Sequence, residues 1–220
     1  MLYHVVIFAR SPRFGRVKTR LARDIGAVET LRFYRNTLSA LCRRLSPQGN
    51  FRLMIAMTPD RATLRGRGLL ARPVMEMDQG GGDLGARMSR MFRDLPPGPA
   101  VIIGSDIPEI SRVHLAAAFH ALGDADAVFG PAADGGYWLI GLKRRQQVPP
   151  DFLKNVRWSH PETLKDTLQS LPKNWKVAYI NQLDDIDSGD SYRDWRERER
   201  NAAASPLARS DLARSGIRRD

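Results

Sequence analysis

Cysteine is nearly absent: Cys42 stands alone among 220 residues. A disulfide framework within the chain is thereby excluded, and so is a cysteine-built zinc site. The histidines His4, His114, His120 and His160 show no metal-ligand spacing, and each is expected to be structural or exposed. No stretch approaches the roughly 18 consecutive apolar residues of a membrane-spanning helix. The run from Met1 to Phe8 is too short for a secretory apolar region and has no basic residues before it. A soluble protein of the cytoplasm is the expectation. Aromatic residues are few, at 8%, and only Phe14 interleaves with basic side chains. This counts against the stacking platforms of a nucleic-acid-binding module, the alternative that a net charge of +11 first raises. Acidic residues are missing altogether between Arg10 and Arg23, where six basic residues stand. Such a balance asks for an anionic partner, and phosphorylated small molecules fit it as well as nucleic acid does.

The hydrophobic content of 42% is that of a globular chain. Val5–Ala9, Phe51–Met57 and Ala100–Ile103 read as short buried strands, with weaker strands at Pro73–Met77, 126–129, 137–142 and 176–180. Leu31, Tyr34, Leu38, Leu41 and Leu45 recur at helical spacing and predict a helix over 27–45. Further helices are expected near 60–70, 83–94, 111–122, 161–171 and 189–200, with 144–160 irregular. The alternation predicts an α/β fold, a mostly parallel central sheet with helices on both faces. Residues 1–200 read as one α/β domain. Residues 201–220, rich in Ala, Ser and Arg, read as a disordered basic tail. A homodimer is among the assemblies the sequence allows.

In such sheets ligands bind beyond the carboxyl ends of the strands. Three polar loops are placed there. The first, at 10–23, carries Gly15, whose freedom lets backbone N–H groups face an anion, and Lys18, a mobile positive charge for phosphate oxygens. Arg10 and Arg20 add forked donors. The glycine that a Walker A lysine requires is missing, so the loop is not that motif. The second is Gly104-Ser105-Asp106-Ile107-Pro108, where a carboxylate at a strand end suits Mg²⁺ (or Mn²⁺) bridging phosphates. The third is Asp134-Gly135-Gly136-Tyr137, a metal or hydroxyl site or else a tight turn. In Asp184-Asp185-Ile186-Asp187, Asp187 is the candidate further ligand, with capping of the last helix as the alternative. Gly80–Gly85 matches G-x-G-x-x-G with Asp106 about 20 residues on, as a dinucleotide fingerprint asks. The weak preceding strand argues against that use.

The stretches 8–21, 79–88, 104–108, 130–142 and 185–188, taken in order, resemble a bacterial glycosyltransferase-A-like family. That family is of the arsenosugar-biosynthesis or radical-SAM-associated type, in the nucleotide-diphospho-sugar transferase superfamily. It is related to the molybdenum-cofactor and phospholactate nucleotidyltransferases. The resemblance implies that Arg10 and Lys18 face phosphate and that Asp106 binds metal. Asp106 is not part of the Asp-x-Asp of ordinary glycosyltransferases, since Gly104 and Ser105 precede it, and the Gly-x-Gly-Thr-Arg of sugar nucleotidyltransferases is absent. Glycosyl transfer from a nucleotide-diphospho-sugar is the expected reaction. Nucleotidyl transfer from a nucleoside triphosphate, releasing pyrophosphate, is the alternative, and the acceptor is an unidentified small molecule. The expected catalytic set is Lys18, Asp106 and Asp134, with Asp106, Asp134 and Asp187 on the metal. Ala9, Arg10, Pro12, Gly15, Lys18, Arg20, Gln79, Asp83, Ser105, Gly135, Gly136 and Tyr137 are expected to bind substrate.

Overall fold

The apolar run after Leu2 forms β1 (Tyr3–Arg10), and its side chains alternate between two cores. Val5, Ile7 and Ala9 join one buried cluster and Val6 joins the other. A strand buried on both faces needs continuous apolar sequence, which this one has. The computed structural model describes residues 2–46, 51–64, 68–70, 74–145 and 147–204. After β1 come α1 (Thr19–Ile25), α2 (Ala27–Arg44), β2 (Phe51–Thr58), β3 (Met75–Asp78), α3 (Leu84–Asp94) and β4 (Ala100–Ile103). The chain continues through α4 (Arg112–Asp124), β5 (Ala127–Pro131), β6 (Tyr137–Leu142), α5 (Thr163–Gln169), β7 (Val177–Tyr179) and α6 (Gly189–Ala204).

The strands form a seven-stranded sheet in the order β3-β2-β1-β4-β6-β5-β7. β6 runs antiparallel to both β4 and β5, and the remaining pairs are parallel. One face is covered by α2 and α4, through Tyr34, Leu38, Leu41, Leu115 and Leu122. The other is covered by Met88, Met91 and Phe92 of α3 and by Phe152, Leu153 and Val156 of the following irregular segment. Both faces are thus sealed by apolar side chains, which leaves ligands the edge where strands end.

Three differences from the sequence reading have identifiable causes. The basic loop contains a helix, α1. Its Leu21 is fully buried against Phe33 and Ile186, with Ile25 packed on the same cluster, so distant residues hold a segment with only two large apolar side chains of its own. The helix expected near 60–70 does not form at 61–64. There the N–H groups of Arg61 and Leu64 donate to the carboxylates of Asp78 and Glu76, which replaces helical bonding. Residues 65–67 of that expected helix, and Pro73 of the expected strand, lie outside the described residues. The last helix runs on through Ala204, so 201–204 is helical rather than tail; 205–220 lie outside the described residues. Among the described residues no helix is long and apolar enough to cross a membrane.

Candidate active site

Lys18 sits at the start of α1 in a left-handed conformation, φ 45° and ψ 53°. This backbone is costly for a side chain bearing Cβ. It turns the ammonium inward, where the side chain is 6% exposed. Its Nζ lies 2.8 Å from Asp106 Oδ2 and 2.8 Å from Asp185 Oδ2. Burial opposes the charge of Lys18, but the carboxylates of Asp106 and Asp185 outweigh it and hold the pKa above the ordinary lysine value. Asp185 is pushed up, first by burial and then by Asp106 and Asp187, against the pull of Lys18.

Each member of this triad is held by its surroundings. Asp106 follows β4, whose four residues are all buried. Asp185 precedes Ile186, which is buried with Leu21 and Phe33. The segment is pinned on both sides. Asp184 Oδ1 accepts the Ala133 N–H at 2.7 Å, and the Gly189 N–H donates to Asp24 Oδ2 at 2.6 Å. The ends of β1 and β4 are tied by Tyr34 of α2. Its hydroxyl meets the Arg10 N–H at 3.0 Å, the Arg10 carbonyl at 2.9 Å and Ser105 Oγ at 3.1 Å. Tyr34→Phe should therefore destabilise the fold by about 1–2 kcal/mol, read from the shift of a denaturant midpoint at constant slope.

Asp106, Asp134 and Asp185 line one cleft of about 260 Å³. Much of the rest of its lining is apolar, with Phe8, Leu84, Met88, Tyr137, Trp138 and Trp158. Asp134 sits in the β5–β6 hairpin and accepts the Gly136 N–H at 2.9 Å, so the turn reading holds even though the residue lines the cleft. Asp187 pairs instead with Arg20, at 3.4 Å on the exposed side. Asp106, Asp134 and Asp187 are thus not gathered around one point, and among the described residues no three His, Cys, Asp or Glu side chains form a ligand cluster. Asp185, and not Asp187, lines the cleft beside Asp106. No local signal separates these two acids: both flank the buried Ile186, and only the chain facing them, Lys18 against Arg20, tells them apart.

Several expected binding residues have structural work. Gln79 is buried, and its amide donates to the carbonyls of Ala9 and Ala56. Asp83 caps α3 by accepting the Ala86 N–H at 2.8 Å. Ser105 is buried against Tyr34. The cleft takes Leu84 and Met88 from the 79–88 stretch, and neither Gln79 nor Asp83. The dinucleotide-like glycines are occupied by the protein itself. Arg90 donates to the carbonyls of Gln79 and Gly81, and Arg87 donates to that of Gly82. Gly135 faces Pro161, whereas Gly136 and Tyr137 line the cleft. The buried Tyr137 phenol is pushed well above its ordinary pKa. Pro12 is buried behind the loop and Gly15, at φ 67°, turns its exposed tip. His4 is buried beside the Pro97 carbonyl, and His114 and His160 accept backbone N–H groups of Ser111 and Glu162. Burial pushes the Cys42 thiol up to about 12.

A family model described as "Uncharacterized protein conserved in bacteria (DUF2064)" matches residues 41–160. The chain belongs to the DUF2064 family. The matched part of this DUF2064 protein contains Asp106 and Asp134, while Lys18 and Asp185 flank it. A protein from Desulfovibrio desulfuricans G20, provisionally described as a nucleotide-diphospho-sugar transferase, superposes with a TM-score of 0.74 at 28% identity, over 86% of this chain and 84% of that one. A nucleotidyl transferase from Methanothermobacter thermautotrophicus gives 0.60 at 15%, over 90% and 97%. A CMP:2-keto-3-deoxy-manno-octonic acid synthetase complexed with CTP gives 0.56 at 12%, over 92% and 100%. The fold is that of the nucleotide-diphospho-sugar transferases. No curated protein sequence matches the DUF2064 chain.

Proposed function

We propose that the protein is a divalent-metal-dependent transferase that uses a nucleotide-activated donor, and that it transfers a glycosyl group from a nucleotide-diphospho-sugar. The observation that carries this reading is the Lys18 ammonium held between Asp106 and Asp185 at the carboxyl edge of the sheet. The donor set suits Mg²⁺ or Mn²⁺. Two hard carboxylate oxygens already share one cation, the ammonium, which stands in for an ion there. Mg²⁺ needs only one or two protein carboxylates, with waters and phosphates completing its shell. Bound there, the ion would supply neutralisation of phosphate charge. Asp106 and Asp185 would hold it. Lys18 neutralises the charge that develops as the leaving diphosphate departs. Asp134 and Gly136 face the reacting group from the hairpin, and the apolar lining excludes water from it. The likeness to the arsenosugar-biosynthesis or radical-SAM-associated transferases supports this reading through the sequence stretches that carry it.

A thermal-shift and turnover screen of sugar nucleotides and nucleoside triphosphates, with metal or with EDTA, tests the proposal. Stabilisation is expected only when nucleotide and metal are both present, and Asp106→Asn should abolish it. Release of nucleoside diphosphate marks glycosyl transfer. Release of pyrophosphate would move the assignment to nucleotidyl transfer. Metal-indifferent binding, or normal turnover by Asp106→Asn, would remove the site from the reaction.

A further inference from the structure

We infer that the loop after β1 has a second phosphate site on its arginine side, one that works without a metal ion. The inference rests on the reading of the chain as a nucleotide-dependent transferase. A cleft of about 350 Å³ is lined by Arg10, Ser11, Arg13, Arg16, Thr58, Pro59 and Arg87, and shares no residue with the carboxylate cleft. No acidic side chain lines it. Among the described residues the guanidinium groups of Arg10, Arg13 and Arg16 have no hydrogen-bonding or ionic partner. Arg87 uses only its Nε, on the Gly82 carbonyl at 2.8 Å. Four like charges around one cavity repel each other, and an anion is what relieves that repulsion.

A second observation points to the same occupant. Ser11 is 1% exposed, lines this cleft, and its hydroxyl has no hydrogen-bond partner. Buried hydroxyls are almost always paired, so an orphan beside unpaired guanidiniums marks the place of a ligand atom. Arginine forks match phosphate oxygens two at a time, and a serine hydroxyl supplies a further donor. With no carboxylate present and four positive charges, the cleft repels a free divalent cation. Phosphate therefore binds here as the bare anion, whereas the Lys18 side binds it together with a metal. The phosphate comes from a phosphate ester on the acceptor or, where the reaction is nucleotidyl transfer, from the terminal groups of the triphosphate donor.

Calorimetric titration with inorganic pyrophosphate in EDTA at low salt tests the site. The full chain should bind. Arg13→Ala with Arg16→Ala, both exposed positions, should weaken binding at least about tenfold. Ser11→Ala should weaken it less. Lys18→Met should bind like the parent. Arg35→Ala with Arg43→Ala, which removes equal charge from the exposed side of α2, should also bind like the parent. Absence of binding in EDTA would overturn the site, as would equal affinity in the Arg13/Arg16 variant. Equal weakening by Arg35/Arg43, or loss in Lys18→Met, would overturn it too. Displacement of pyrophosphate by a nucleoside triphosphate with Mg²⁺ would support the site and give the donor as its source. Simultaneous binding of both would support it and give the acceptor. If pyrophosphate fails while metal-dependent nucleotide binding through Asp106 persists, the second site is wrong and the proposed function stands.

Discussion

Replacing Lys18 with alanine is expected to lower turnover by about 10²–10³, the usual cost of losing one charge-stabilising donor. The argument does not rest on charge alone. The ammonium is nearly buried and equidistant from two carboxylates, so no surface lysine can replace it. In the variant, Asp106 and Asp185 would face each other without a counter-ion. The Asp185 carboxyl, already raised by burial, would rise further because the opposing pull of Lys18 is gone. Cation binding at the pair should then weaken as pH falls towards that raised value, since the protonated carboxyl holds no metal. Nuclear magnetic resonance titration of the Asp185 carboxyl, beside turnover at several pH values, checks both parts. An unchanged carboxyl titration with unchanged turnover would contradict them. Lys18→Gly makes a useful partner: it relieves the left-handed backbone and should be more stable than Lys18→Ala, yet equally inactive.

Gly135→Ala should cost about 2–4 kcal/mol of stability and raise KM as well. Two effects act at this position. Its φ of 83° disfavours any side chain, and a Cβ there would clash with the Pro161 carbonyl oxygen. Both partners are backbone, and the Leu164 N–H donates to the Gly135 carbonyl at 2.9 Å, so neither can withdraw without breaking the start of α5. The hairpin must move, carrying Asp134 and Gly136 away from their places in the cleft. Gly123→Ala is the control, because it lies in α4 with nothing within 4 Å of a new Cβ, and it should be neutral or mildly stabilising. Urea unfolding of both variants separates the two outcomes.

What could be read from the sequence followed local signals. The runs at Val5–Ala9, Phe51–Met57 and Ala100–Ile103 announced the central strands because burial on both faces leaves an uninterrupted apolar string. The spacing from Leu31 to Leu45 announced α2. Lys18 and Asp106 could be named because they lie in the polar loops that follow such strands. Features set by distant partners were not legible. α1 depends on Leu21 meeting Phe33 and Ile186, far along the chain. Gln79 and Asp83 carry groups suited to a ligand, but only the fold shows that those groups are spent on the Ala9 and Ala56 carbonyls and on a helix cap. Asp185 was passed over for Asp187 because adjacent acids look alike until the chain facing them is known.

The reversed direction of β6 has a consequence for how this scaffold can diversify. Because β6 enters the sheet from the carboxyl edge, the turn between Pro131 and Tyr137 projects into the cleft mouth, while the ladders of β6 with β4 and β5 fix everything behind it. Side chains on that turn can change without shifting a strand pairing, because its backbone is held by Asp184 and by the Leu164 N–H. The hairpin is therefore a rim whose side chains can vary on a base whose backbone is fixed.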